Sequence, residues 1–442
     1  MITRRDALRT LSLSALAVVG ASALTSCDSG GGDPDPPRSA DGPIRLVSAD
    51  VERAEGSLEL LSGAVSALYS FGSGLYRELA TEPGNLAMSP YSVAVALAMT
   101  QNGARGRTLA EMQKVLGGLE AQRLNGGLNA LTAHVDSLAG TREKLDGEPA
   151  EIALRAANQL FGEQTTTFEE EFLETLAREY GAGLRTVDFK GDAEGARVAI
   201  NDWTADQTEG RIEDLIPPDV LTTLTRLVLV NALYLKAPWE HPFEKEVTAD
   251  GDFHLLDGST VRVPMMSLQT RSGLGVAAGA GWRAVQLPYA GRELAMTIVL
   301  PEEGRLAEVE GALAHFSEVL LAMEPTQVAL TLPRWTFRTQ TPLKKPLQAM
   351  GMPTAFEDGR ADFSGMTREV ELFIAAVLHQ TFIAVDEEGT EAAAATAVVM
   401  QEESAPLLEP FVVDRPFLFV IHDVEHGAPL FVGRVVDPSA SE

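Results

Sequence analysis

The chain has 442 residues, 45% of them hydrophobic and 22% charged, with 63 acidic against 35 basic side chains and a formal net charge of −28. That balance argues against a nucleic-acid binder, whose phosphates would be repelled, and against attraction to anionic lipid headgroups. The composition is globular, and a chain this long could hold about three average domains, although mixed folds of such size also close around a single core.

The first residues read as a targeting segment. Thr3-Arg4-Arg5-Asp6-Ala7-Leu8 resembles a twin-arginine export signal, the apolar run 11–24 is too short to span a bilayer, and Leu24-Thr25-Ser26-Cys27 resembles a bacterial lipobox. The expectation is a signal peptide over 1–26, cut before Cys27, whose thiol takes the lipid. Cys27 is the single cysteine, so the mature chain makes no intramolecular disulfide. Residues 27–47 are then a lipidated cysteine and a flexible linker. The Gly, Pro and Asp of 28–43 carry no large apolar side chain and reach about 50 Å when fully stretched. The expected location is the cell envelope, membrane-anchored on its periplasmic or cell-surface face.

From residue 48 to 442 no second linker, repeat or long charge run interrupts the sequence, which predicts one domain. In FEEEFLETLAREYGAG, Phe168, Phe172, Leu176 and Tyr180 fall four apart and Gly181 supplies a stop, predicting a helix. Residues 225–236, 294–301, 328–337, 415–421 and 428–436 are strand-like, several of them apolar on both faces, as central strands are. The class is mixed, α+β.

Motifs of catalysis are missing: there is no GxSxG, no HExxH and no Gly-Lys-Ser/Thr phosphate loop. Nothing asks for a cofactor. His422-Asp-Val-Glu-His426 would place two imidazoles on one face of a helix, but it lies between two strand-like runs and reads as a hairpin loop, so no metal is assigned. His379, within AAVLHQTFIAV, reads as a satisfied buried histidine rather than a catalytic base.

Residues 385–400, VDEEGTEAAAATAVVM, carry little that could anchor a core. Alanine-rich sequence permits a helix. It equally permits an extended segment of small side chains that slips between packed strands, with Thr390, Ala392, Ala394, Thr396 and Val398 on one side and Glu391, Ala393, Ala395 and Ala397 on the other. The absence of proline over 389–403 leaves every amide there able to join a ladder.

Ten segments in order resemble those of the serpins, over residues 57–438. They run from NLAMSPYSV (85–93) with GARGRT, through AANQLFGEQTTTFEEEF with VDF (187–189), IND with Trp203, TEGRI (208–212), LVLVNALYLKAPWEHPF, VPMM (263–266), LPY (287–289) and DFSGM (362–366), to HQTFIAVDEEGTEAAAATAV (379–398) and the terminal RPFLFVIHDVEHGAPLFVGRVVDP. The resemblance implies three β-sheets with about nine helices and a reactive loop near the C-terminus. The resemblance further implies that a serine protease attacking this bait is trapped covalently when the loop inserts into the central sheet. In physical terms the trap is the addition of a strand to a sheet, with release of stored strain.

By position, the resemblance implies a hinge made of Glu387, Gly389, Thr390, Glu391, Ala392, Ala393, Ala394, Ala395 and Thr396. It implies a polar shutter of Ser89, Ser92, Asn231 and His379, Trp239 at the top of the sheet, and a scissile bond between Glu403 and Ser404. Two departures stand out: Ala237 replaces the usual glycine, and 389–416 is about two residues longer than in short-loop members, which leaves the scissile bond open by a residue or two. The expected protein is a monomeric, membrane-tethered protease inhibitor and not an enzyme. The alternative is a non-inhibitory binding or chaperone-like surface lipoprotein on the same fold; such members often carry bulky or charged hinge residues, which Thr390 and 392–395 do not match.

Overall fold

The computed structural model describes residues 43–269, 273–391 and 408–440, all within one compact unit, Asp41–Glu442. The chain enters on an edge strand, β1 (Arg45–Val47), and continues into α1 (Leu58–Leu79), which turns Leu61, Leu68, Phe71 and Leu75 inward. After β2 (Leu86–Met88) comes α2 (Pro90–Gln101). Its start is set by Ser89, whose Oγ accepts the Ser92 N–H at 3.0 Å, and by proline at the first helical position. Every residue of α2 is buried, as suits a helix with no polar face. Against it pack α3 (Gly106–Val115) and α4 (Ala121–Ser137).

Next come β3 (Gly140–Glu143), β4 (Pro149–Glu163), α5 (Glu170–Tyr180), β5 (Leu184–Val187) and α6 (Ala193–Gln207). The helix expected near 168–180 is α5: Phe172, Leu176 and Tyr180 are buried, and Gly181 ends it at φ 59° with its N–H on Ala177 O. Strands then dominate: β6 (Leu227–Pro238), β7 (Ala249–His254), β8 (Thr260–Gln269), β9 (Leu274–Gly279), β10 (Trp282–Pro288) and β11 (Leu294–Pro301). Two short helices, α7 (Leu306–Gly311) and α8 (Phe316–Leu321), lead to β12 (Glu324–Thr326), β13 (Val328–Pro333), β14 (Trp335–Pro342) and α9 (Lys344–Met350). The chain closes with β15 (Ala376–Val385), β16 (Gly389–Thr390), β17 (Glu409–Val412), β18 (Phe417–Asp423) and β19 (Pro429–Val435).

These strands make three sheets, of eight, seven and four strands, with nine α-helices among the described residues. The expected α+β class and three-sheet architecture hold. The strand-like run 328–337 is shared between two strands, β13 and β14. At Pro333 the chain turns, Arg334 gives its N–H to Pro264 O at 2.9 Å, β13 joins the four-stranded sheet and β14 the eight-stranded one. Apolar content marked both strands, but the change of sheet depends on a partner far away in sequence.

The eight-stranded sheet carries the site. Its order is β1-β5-β4-β6-β16-β15-β14, with β3 beside β4. β6 is antiparallel to β4 and, from Ala376↔Val228 to Thr381↔Leu233, pairs directly and in parallel with β15. Both strands are buried on nearly every residue. Ala196 and Ile200 of α6 pack with Phe161, Val228 and Val230 on one side, while α2 packs against β4 and β6.

Candidate functional site

At one level of the sheet, Asn158 of β4, Asn231 of β6 and His379 of β15 are register neighbours. The N-terminal turn of α2 meets them there. Ser89 donates its backbone N–H to His379 Nε2 at 2.9 Å, so Nδ1 carries the ring proton, toward Asn231 O at 3.3 Å. Ser92 donates its hydroxyl to Asn158 Oδ1 at 2.6 Å. Burial pushes the His379 pKa down to about 4, against a smaller upward pull from the Asn231 carbonyl, and the ring is neutral at ordinary pH. The Asn231 amide is enclosed with neither its oxygen nor its nitrogen hydrogen-bonded. All four expected shutter residues therefore come together. Asn158 is a fifth that sequence reasoning missed, because its place opposite Asn231 is a matter of strand register.

Above this level the sheet parts. β6 and β15 pair with each other only as far as Leu233 and Thr381, and β16 returns between their upper ends, antiparallel to both. Gly389 lies opposite Pro238, and Thr390 opposite Ala237 and Val385. A Cβ on Gly389 would sit 2.2 Å from Ala237 O, so close backbone approach is what requires glycine here. Thr390 is 1% exposed, and its hydroxyl lies 2.6 Å from that of Tyr289. At Glu391 the chain leaves the sheet, with φ 53° and its N–H on Ala384 O at 2.9 Å. The Glu391 carboxylate pairs with the Arg211 guanidinium; burial nonetheless holds its pKa above the usual carboxylate range.

The turn joining β15 to β16 is fastened from several directions. Asp386 Oδ1 accepts the N–H groups of Glu388 and Gly389 at 2.9 and 3.2 Å. Trp239 gives its indole N–H to Asp386 O at 3.0 Å and its backbone N–H to Glu388 O at 2.8 Å, and its ring stacks on Tyr289 with centroids 4.6 Å apart. Arg334 reaches both Glu387 oxygens at 2.6 and 2.7 Å, and the Thr248 hydroxyl donates to one of them at 2.8 Å. Burial acts to raise the Glu387 pKa, but these hydrogen bonds outweigh it and hold the carboxyl below its usual range. Lys245 pairs with Glu388 at 2.8 Å.

Trp239, Glu387, Gly389, Thr390 and Glu391 thus lie at one end of the sheet, and Glu391 turns out of the alternation assumed for it. Tyr289, Arg211 and Arg334 were missed; Tyr289 and Arg211 lie inside LPY and TEGRI, but nothing local shows that they face the hinge. Ala392, Ala393, Ala394, Ala395, Thr396, Glu403, Ser404, Cys27 and the 1–26 segment lie outside the described residues. His422 and His426 do not share a helical face: His422 is buried in β18 beside Thr297, and His426 sits in the β18–β19 hairpin loop. What these groups can do is mechanical. They hold the two residues of β16 between the upper ends of β6 and β15, which pair directly with each other below.

Comparison with known proteins agrees with this geometry. The family model described as serpin (serine protease inhibitor) matches residues 66–438. An uncharacterised serpin-like protein of Thermococcus kodakarensis is 39% identical, over 85% of each chain. The leukocyte elastase inhibitor of Sus scrofa is 36% identical, over 83% of this chain and 97% of its own. Among solved structures, the thermophilic serpin tengpin in its native state superposes with a TM-score of 0.76 at 26% identity, over 88% of this chain and 97% of its own. Serpin48 of Tenebrio molitor, described as a highly specific serpin, gives 0.75 at 31%, over 86% and 100%. Thyroxine-binding globulin in complex with thyroxine gives 0.74 at 26%, again over 86% and 100%. The chain belongs to the serpins, a family of protease inhibitors.

Proposed function

We propose that this protein inhibits serine proteases as a suicide substrate. The observation that carries the reading is the parted sheet: Gly389 and Thr390 already fill the first two places of a strand between β6 and β15, which are joined to each other below. The protease serine attacks the Glu403 carbonyl, the Ser404 amine leaves, and an ester links Glu403 to the enzyme. Continued insertion then exchanges the one parallel β6–β15 ladder for two antiparallel ones. At about 0.5–1.5 kcal/mol net per ladder bond, a full strand gains on the order of 10 kcal/mol, which drives insertion ahead of ester hydrolysis. If the β16 register is carried on from Thr390 opposite Ala237, full insertion would bring Val399 opposite Val228, at the foot of the β6–β15 ladder, and would carry Glu403 and the attached protease beyond it.

The test is incubation with a panel of serine proteases that includes glutamate-specific and elastase-like enzymes. The expected result is a covalent complex that survives boiling in detergent, with Ser404 as the first residue of the released C-terminal fragment. A fragment starting at Met400 or Gln401 would move the bait bond to an apolar site. Thr390→Arg, which puts a charge where the strand must enter, should convert the inhibitor to a substrate. Cleavage by every protease without any complex would favour the binding-module reading, a role the fold also serves in thyroxine-binding globulin. We also propose attachment to a membrane through lipid on Cys27; Cys27→Ser should then shift the protein from the membrane fraction to the soluble one.

A further inference from the structure

Folding brings to the HDVEH segment a residue that sequence does not place near it. His134, in the last turn of α4, stands against the β18–β19 hairpin loop, its ring edge-on to that of His426 with centroids 4.7 Å apart. His134 Nδ1 is 4.0 Å from Glu425 Oε2, and His426 Nε2 is 3.9 Å from Glu425 Oε1. One donor atom from each of His134, Glu425 and His426 lies within 4.8 Å of the other two.

The support behind the cluster is built as metal sites are built. Asp423 is fully buried, and its carboxylate accepts the backbone N–H groups of His426 and Ala428 at 2.7 and 2.6 Å, which fixes the loop. Its Oδ1 is also 3.3 Å from His134 Nε2, a nitrogen that is enclosed and has no well-aligned hydrogen bond. A carboxylate behind one ring nitrogen leaves the other, Nδ1, as the lone-pair donor facing Glu425 and His426, the carboxylate–histidine–metal arrangement. The loop is held from outside as well, by Val424 N–H on Glu293 O at 2.9 Å and by the Tyr69 hydroxyl on Gly427 O.

The geometry points to a site for a first-row divalent transition ion of the zinc class, held by His134 Nδ1, His426 Nε2 and the Glu425 carboxylate, with water completing the tetrahedron. Two imidazoles and one carboxylate suit zinc, and bonds of about 2.0–2.2 Å put tetrahedral donors about 3.3–3.5 Å apart. The donors here have to close by about half an ångström to 1.5 Å, a movement open to the exposed Glu425 and to rings that are only half-buried. The bound ion would staple the end of α4 to the seven-stranded sheet. This holds whether or not the chain inhibits a protease.

The experiment titrates the metal-free full chain with Zn2+ and, separately, with Co2+, following heat of binding, thermal midpoint and the cobalt visible spectrum. Expected are one tight equivalent, a rise of several degrees in the midpoint, and the intense absorption of four-coordinate cobalt. Glu425→Gln, at an exposed position that folding does not depend on, should weaken binding at least tenfold. His134→Ala and His426→Ala should each abolish the cobalt band, while His315→Ala, at an exposed histidine elsewhere, should leave it intact. No binding by the wild-type chain, a six-coordinate cobalt spectrum, or binding unchanged in the His134 and His426 variants would overturn the assignment.

Discussion

Two single residues show how narrowly the site is poised. Gly389 is set by a backbone contact that no side chain would tolerate, and Thr390 by burial against Tyr289; both lie where β16 sits between β6 and β15. His379 acts lower down, through its protonation state. Its folded pKa of about 4 lies below the ordinary histidine value of about 6.5, so the unfolded chain takes up a proton at a pH where the folded one does not. The stabilisation is complete above about pH 6.5 and is lost progressively as pH falls toward 4. The gap between those two values, at ~1.4 kcal/mol per pH unit, makes this about 3 kcal/mol, undiminished by solvent because the ring is enclosed. Protonation would also remove the acceptor that holds Ser89 N–H, weakening the link between α2 and β15. Denaturant unfolding measured from pH 7.5 to 4.5 should show this added acid sensitivity, and His379→Gln, though less stable throughout, should lose it. Parallel pH profiles for the two proteins would sink the argument.

Among elements, the two-residue strand β16 is the one with most to explain. The observed register of β16 sets what the proposed insertion would do: Thr390 opposes Ala237 and Val385, so on insertion Thr396, six residues further on, would come between Asn231 and His379. An inserted Thr396 would share Thr390's side of the strand, and Asn231 has a buried amide whose oxygen and nitrogen both lack a hydrogen-bond partner. An entering hydroxyl would find that amide waiting, and satisfying a buried polar group is worth about 1–3 kcal/mol relative to leaving it unpaired. Thr396→Val should therefore slow insertion and raise the number of inhibitor molecules consumed per protease trapped by several-fold, while Thr396→Ser should retain the wild-type ratio. Equal ratios for all three would mean that the register does not continue past Thr390. Sequence made part of this element legible: the small-residue run and its glycine stood out, whereas the polar residues at 89, 92, 231 and 379 were implied only by the resemblance. What it hid is pairing across distance. Asn158 beneath Ser92, Arg334 on Glu387, Arg211 on Glu391 and the break at Pro333 each depend on a contact between segments far apart in the chain, which neither periodicity nor composition encodes.

For the whole molecule, the proposed insertion requires that the folded state not be the lowest state available to the cleaved chain. Residues 392–408 join Glu391 to β17, which pairs with β13 in the four-stranded sheet, and on the proposed mechanism that covalent tie opposes descent between β6 and β15 in the intact protein. Cutting within 398–403 removes the tie. The freed strand can then run down to Val228 and Ala376, separating the six directly paired positions of β6 and β15 but completing ladders on both of its own sides. A gain on the order of 10 kcal/mol, spread over a chain of this size, corresponds to a rise in the thermal midpoint of roughly 10–20 °C or more. An ordinary protein nicked in a surface loop keeps its midpoint or loses some of it, because the cut only adds freedom to the unfolded chain and its ends. Calorimetry before and after verified cleavage, with the nicked chain kept at neutral pH so that His379 stays uncharged, separates the two cases. A rise of the stated size, accompanied by loss of inhibition, is the expected outcome. An unchanged midpoint would mean that β16 is a fixed edge of the sheet and not the leading end of a strand still to enter.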